Sequence, residues 1–370
     1  MRTIGWSLFL ACSWTWCIGM FLPVLVLRDY GWPGFIVFAI PNVIGCSAFA
    51  YLFRNKESAA GFLQRHLSAA RLFSMVTIAF HLYFIPMMLL TQRNIPENTH
   101  PTVDSVLIIT VIVLAAAYLF SRLSWKAWLY VGALVYTASI LFLIATLSTG
   151  QQFIYSGSSI PGLIQLLPLL LVSVFGFALC PYLDLTFHKA YQLSPDPRKS
   201  FTGFGLFFTV MILFTTVYAV TGISSLIVVH ILFQSAFTMG AHIKVLSEKS
   251  GQETNRVDKF LLPVAIGSIL LGVIPFAQHK PEFIYQFFMT MYGLVFPAYV
   301  WIIASPRPLV APNRRGVLAA AIFVIISMPE FYTAFILQIN WPIFIPFLLL
   351  LLWTGITWSQ RGKHPLHRPA

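Results

Sequence analysis

Apolar runs of about twenty residues recur from one end of this chain to the other, separated by loops too short to hold a core of their own. The runs cover 5–27, 33–53, 69–91, 103–121, 125–148, 161–189, 201–221, 224–246, 259–277, 282–304, 316–337 and 341–358. A helix needs about 20 apolar residues to cross the hydrocarbon core of a bilayer, where every backbone polar group must be satisfied internally. Twelve such runs predict an all-α, polytopic membrane protein with about 12 transmembrane helices. Hydrophobic residues make up 58% of the sequence and charged residues 9%, where a soluble domain carries roughly a quarter charged residues. The solvent for most of this surface is the lipid bilayer.

Charge sets the expected orientation. With the first run starting inside, 20 of the 23 Lys and Arg residues fall on one side, and only Arg28, Arg93 and Lys280 on the other. Cationic loops resist translocation, so the rich side is cytoplasmic. Both termini then lie in the cytoplasm, as for a bacterial-type plasma or inner membrane. The net charge of +12 is scattered over short loops, which points to topology and anionic inner-leaflet lipid and excludes a nucleic-acid partner. The first run has a short cationic lead but no Ala-x-Ala-like site, and reads as a retained helix. Cys12, Cys17, Cys46 and Cys180 all fall within apolar runs; they read as packing residues, with no disulfide framework and no metal-ligand spacing. The loop Ser58 to Leu67 reads as a short connecting helix.

Two runs carry their own breaks. The first contains Ser13-Trp14-Thr15-Trp16-Cys17-Ile18-Gly19 through Pro23, and the sixth contains Gly176-Phe177-Ala178-Leu179-Cys180-Pro181-Tyr182-Leu183-Asp184. Proline deletes a backbone N–H and crowds the carbonyl one turn back, and glycine lowers the cost of unwinding. Carbonyls freed this way are tolerated in a membrane only where they are buried in protein or line a polar cavity. The sixth run spans 29 residues, about 43 Å as continuous helix, so a break or a strong tilt is expected. The interruptions recur five helices apart in runs of opposite direction, the sequence pointer to a secondary transporter's solute site.

The segment Ala11-Cys12-Ser13-Trp14 to Gly19, then Leu27-Arg28-Asp29-Tyr30-Gly31 and the second run to Phe53, resembles the opening helix pair of the sodium/solute symporter family. The sixth run, Thr186-Phe187-His188-Lys189-Ala190 and Pro197-Arg198-Lys199-Ser200 are similar to that family's sixth core helix and basic loop. The resemblance covers mainly runs 1–2 and 6–7. It implies the LeuT-type architecture of the amino acid/polyamine/cation transporter superfamily: a first five-helix repeat over 5–148, an inverted copy over 161–304 and two peripheral helices over 316–358. These make one transmembrane domain, 1–358, with a cytoplasmic tail at 359–370. The family's extra leading helix is absent. Its eighth core helix offers neighbouring hydroxyls to sodium; here the nearest are Ser235 and Thr238, three apart and on one helix face.

Ser13, Trp14, Gly19, Gly176, Tyr182, His230 and Gln234 are the candidate solute-binding residues, with Ser235 and Thr238 as candidate sodium ligands. No other cofactor is expected, and the coupling ion stands open between sodium and proton. Asp184 and His188, one turn apart, read as a local pair, and His242 as a side chain snorkelling to the inner boundary. His81 and Glu330 are the remaining ionisable groups in apolar runs. An integral-membrane enzyme needs a convergent catalytic set, and no HExxH, DxxD or GxSxG motif occurs. The expected function is therefore secondary active transport of a small solute, not catalysis. The other readings are a non-transporting membrane sensor or scaffold, a membrane-embedded enzyme, and a six-plus-six carrier of the major facilitator kind. That last class usually has a Gly-x-x-x-Asp-Arg-like loop, in place of which Arg54-Asn55-Lys56-Glu57 follows the second run.

Overall fold

The computed structural model describes residues 2–91, 101–148, 162–221, 225–248, 261–274, 280–337 and 339–363, and every regular element among them is helical. Arg93, Lys249, Arg256, Lys259, Arg368 and the tail beyond Lys363 lie outside the described residues. The helices are α1 (Arg2–Trp14), α2 (Cys17–Leu52), α3 (Lys56–Arg65), α4 (Leu67–Leu90), α5 (Val103–Ser121), α6 (Trp125–Ser148), α7 (Leu163–Leu179) and α8 (Leu185–Leu193). They continue as α9 (Pro197–Thr221), α10 (Ser225–Ser247), α11 (Leu261–Val273), α12 (Pro281–Ala304), α13 (Arg314–Phe335) and α14 (Phe344–Lys363).

Ten of the described helices are long and apolar enough to cross a membrane, and the protein is a multi-pass integral membrane protein. That figure takes α2 as one helix, although Gly31 (φ 64°, ψ −161°) folds it into two arms, and leaves out the shorter apolar α11. Counting the second arm and α11 separately gives the twelve crossings read from the apolar runs. Gly31 sits in the left-handed region that other residues avoid, and Pro33 then presets φ for the first turn of the second arm. The Gly31-Trp32-Pro33-Gly34 string is thus a sharp fold between two crossings.

The connecting helix expected near Ser58 is α3. Asn55 caps it, accepting from Ser58 N (2.9 Å), and the Asn55 N–H is returned to Ser58 Oγ (3.3 Å). Phe62 is buried and stacks beside His188 of α8 (5.9 Å).

In lipid, helices gain no hydrophobic drive from meeting one another, so close approach and hydrogen bonds decide the contacts. α1 packs on α9, α6 and α10; α2 packs on α9 and α7; α4 packs on α11 and α10; α5 packs on α10. Small residues set these approaches. A Cβ at Gly45 would lie 2.8 Å from the Phe177 carbonyl oxygen, and one at Gly240 would lie 2.8 Å from that of Ala117. Gly240→Leu is therefore expected to force α10 off α5 and cost about 1–3 kcal/mol, the range of overpacked cores. Thermal unfolding in detergent reads this directly; an unchanged midpoint would contradict the close packing. α13 and α14 stand at the edge, with Leu318, Ile322, Leu348 and Leu351 exposed to lipid.

Candidate functional site

Both expected interruptions are broken helices, and they meet inside the bundle. α1 stops at Trp14, Trp16 is extended (φ −90°, ψ −175°), and α2 resumes at Cys17. The break falls at the N-terminal edge of the stretch marked by sequence. Gly19 and Pro23 stand in regular helix beyond it, the proline ring facing a carbonyl whose residue has no side chain. Hydroxyls take up the carbonyls of the last turn before the break. Ser13 Oγ donates to Leu10 O (3.3 Å), Thr15 Oγ1 to Ala11 O (2.7 Å) and Thr238 Oγ1, from α10, to Cys12 O (3.4 Å).

The second break follows α7. Cys180–Leu183 form a 3-10 turn, Asp184 is extended (φ −78°, ψ 110°), and α8 begins at Leu185. Fully buried Asp184 caps α8, its Oδ1 accepting from Thr186 N (2.7 Å), Thr186 Oγ1 (2.7 Å) and Phe187 N (3.4 Å). The expected Asp184–His188 pair does not form. His188 Nε2 donates instead to the Tyr182 carbonyl (2.8 Å), closing the unwound segment on itself.

A cavity of about 440 Å³ leads from both breaks toward the far end of the first arm of α2. Trp14, Trp16 and Cys180 line its inner end, Gly19 and Gly176 its walls, and Asp29, Tyr30 and Phe283 its mouth. Trp14 is fixed by Asn42 of the second arm, its Nε1 donating to Oδ1 (2.9 Å). Trp16 packs edge-on to Trp14 (4.4 Å), Tyr292 (5.0 Å) and Phe73 (5.3 Å). Tyr292 lies on a π-helical turn, Met291–Val295. Pro297 has no N–H for the carbonyl one α-turn back, and a widened turn of this kind re-aims the side chains it carries. Thr77 Oγ1 donates its hydrogen to Phe73 O (3.0 Å), so the Tyr292 hydroxyl is the donor in its 3.0 Å contact with Thr77 Oγ1.

On the other side of the breaks, an aromatic layer fills the bundle. Phe49 stacks on Phe201 (5.2 Å) and meets His188 (5.1 Å), and Phe53 meets Tyr182 (5.8 Å). Beyond it Lys189 donates to Glu248 (2.5 Å), whose other oxygen accepts from Trp125 Nε1 (2.6 Å). At the cavity mouth Arg28 is shared between two carboxylates. It donates to both oxygens of Asp29 (2.6 and 3.1 Å) and both of Glu282 on α12 (2.6 and 3.0 Å). Arg28 joins α2 to α12 across the opening, in half-exposed surroundings where such pairs contribute about 0.2–1 kcal/mol. Glu282→Gln is expected to speed alkylation of Cys180 by up to about five-fold. A rate equal to that of the parent protein would remove Arg28 from control of the mouth.

Of the residues proposed from sequence, Trp14, Gly19 and Gly176 line the cavity. Ser13 is buried at the first break. Tyr182 belongs to the aromatic layer on the opposite side. His230 and Gln234 are buried away from the cavity, and both converge on Ser139 of α6 (2.9 Å each). Ser139 Oγ gives its own hydrogen to Val135 O (2.9 Å), so it accepts from both side chains. Ser235 and Thr238 are fully buried on the face of α10 toward α1. His242 does not snorkel: it is fully buried, with Nδ1 3.0 Å from Ser74 Oγ on α4. His81 is buried too, its Nδ1 donating to Thr77 O (2.8 Å). Asn42, Cys180, Tyr285 and Tyr292 also line the cavity, as do the polar Ser173 and Gln286, and none of these is a candidate from sequence. Asn42 did leave a signal, as an amide inside an apolar run. Tyr285 and Tyr292 left none. Among the described residues no three His, Cys, Asp or Glu gather to hold a metal ion.

No protein-family model and no curated protein matches this chain. Among solved structures, it resembles the crystal structure of the Eremococcus coleocola manganese transporter in complex with an aromatic bis-isothiourea substituted compound. The sequences are 11% identical, the match covers 97% of this chain and 93% of that one, and the TM-score is 0.46.

Proposed function

We propose that this protein is a secondary transporter that moves a small organic solute by alternating access, holding it between the two broken crossings. The observation that carries this reading is a cavity that reaches both breaks, with the aromatic layer beyond them. Such a shape is one half of an alternating-access cycle, and discontinuous helices are the usual frame of the solute site in such carriers. The packing pairs support a five-plus-five inverted repeat. Exchanging crossings 1–5 with 6–10 turns the α1–α9 contact into that between α7 and the second arm of α2. The same exchange turns α4–α11 into α10–α5. α13 and α14 are then the peripheral pair. The cationic loops support cytoplasmic termini in a bacterial-type plasma membrane.

Sodium is the coupling ion this reading favours. Ser235 and Thr238 are buried hydroxyls facing the carbonyl-rich end of α1, where Thr238 already reaches Cys12 O. The test is intrinsic tryptophan fluorescence during a sodium titration at constant ionic strength against potassium, because Trp14 and Trp16 flank the first break. A saturable, sodium-specific change is expected. Ser235→Ala combined with Thr238→Ala should weaken the apparent affinity at least ten-fold, the value of one lost charge-assisted contact. A flat titration would remove sodium and turn attention to protons; absence of any solute-dependent opening of the aromatic layer would remove transport itself.

A further inference from the structure

A carboxylate is a costly cap for a helix that begins inside a membrane protein. Serine or threonine accepts from the same first-turn N–H groups and brings no charge. Asp184 is fully buried, and its oxygens differ sharply. Oδ1 takes every donor, Thr186 N, Thr186 Oγ1 and Phe187 N. Oδ2 is buried as well and has no partner among the described residues. The titratable groups within reach of the Asp184 charge are Cys46 of α2, Cys180 of the preceding turn and Tyr292 of α12, none of them a cation. The other helices packed here are α1, α3, α4, α9 and α10, and among the described residues no Lys, Arg or His on them is bonded to Asp184. Their buried basic groups, Arg71, His81, His230 and His242, are bonded to Leu246 O, Thr77 O, Ser139 and Ser74. On α8 itself, His188 gives Nε2–H to Tyr182 O and Lys189 is on Glu248.

Resting on the transporter reading above, we propose that Asp184 Oδ2 binds a proton that this carrier couples to its solute. A buried carboxylate without a counter-cation bears the full desolvation of its charge, and a proton on Oδ2 removes that charge while every bond to Oδ1 stays in place. The ionised form has its own support, because N–H groups at a helix N-terminus favour an anion. Both forms therefore fit the same fold. They differ in grip: hydrogen bonds to a neutral carboxyl are about half as strong, so proton uptake loosens the first turn of α8. That helix is placed to pass the change on. Phe187 packs on Trp14 at the first break (4.7 Å), and Lys56 Nζ holds the far end through Gln192 O (2.9 Å) and Ser194 O (2.7 Å). The proton forms an O–H bond to Oδ2, arrives from water on the side where the cavity opens and leaves to water on the other. The site is separate from the sodium position at Ser235 and Thr238.

The test is infrared difference spectroscopy of the full chain in nanodiscs, between neutral and acidic pH. The carbonyl band of a buried, protonated carboxyl is expected to rise on acidification. It should be lost in Asp184→Asn and in Asp184→Ser, both of which keep a cap at that place, and retained in His188→Gln. Tryptophan emission, read in parallel, is expected to follow the same transition, because Phe187 links Asp184 to Trp14. In Asp184→Asn and Asp184→Ser that transition should be lost. No such band in the parent protein, or an unchanged band in either variant, would overturn the proposal, and the parent measurement stands even if a variant fails to fold. The transporter reading fails separately: the Asp184 band would titrate, yet a Tyr182→Cys reporter would never become reactive from the cytoplasmic side when the opposite side is acidified.

Discussion

Gly19→Leu is expected to abolish solute binding, by at least a hundred-fold, while the folded bundle keeps its stability. The added Cβ meets only ordinary contacts, Trp14 O at 3.6 Å and Ile212 Cδ1 at 3.8 Å, so the backbone need not move. Leucine is the better helix former by about 0.8–1 kcal/mol, which offsets any crowding. The new side chain then occupies the cavity beside the first break. Gly176→Leu supplies the contrast. Its Cβ would come within 2.9 Å of the Tyr292 carbonyl oxygen, a backbone atom of α12, so binding should be lost together with about 1–3 kcal/mol of stability. Solute protection of Cys180 from alkylation and thermal midpoints, read side by side, separate the two. Normal binding in Gly19→Leu would take the solute out of this cavity.

Asp184→Ala should destabilise the protein by about 2–4 kcal/mol, the sum of a lost helix cap and of buried donors left unsatisfied. Its one oxygen holds two backbone N–H groups and the Thr186 hydroxyl at full burial, and nothing else caps α8. Asp184→Asn keeps an acceptor at the same place and should cost about half as much. The measurement is the unfolding midpoint of the two variants against the parent. Equal midpoints for all three would mean that α8 is held by ring packing alone, through Phe187 against Phe201 (5.3 Å) and Phe204 (5.5 Å).

Much of the scaffold is legible in the sequence, because its causes are short-range. Apolar length gives the crossings, the Gly31-Trp32-Pro33-Gly34 string gives the fold in α2, and Pro181 beside Asp184 marks the end of one helix and the cap of the next. Gly19 and Pro23 misplace the first break by a few residues. The hydroxyls of Ser13 and Thr15 can take the carbonyls freed at Trp14–Trp16, whereas the backbone around Pro23 loses only one hydrogen bond and stays helical.

The site is far less legible. A histidine and a glutamine one turn apart in an apolar run look like solute contacts, yet His230 and Gln234 each give an N–H to Ser139, a residue 91 and 95 positions away, at a place removed from the cavity. Tyr182 shares the broken sixth crossing with Gly176, but the 3-10 turn carries its ring to the opposite side of the break. Asn42 becomes part of the site only because Trp14 reaches it from another helix.

By itself, then, the sequence determined the number and order of the helices and, to within a few residues, the two crossings that break, since hydrophobic length and backbone chemistry act within a turn or two. Only the tertiary structure decided which side chains face the cavity and which are consumed in the wall. That depends on how each helix is rotated against its neighbours, and rotation is set by contacts between residues a hundred or more positions apart, such as Gly45 on Phe177 and Gly176 on Tyr292.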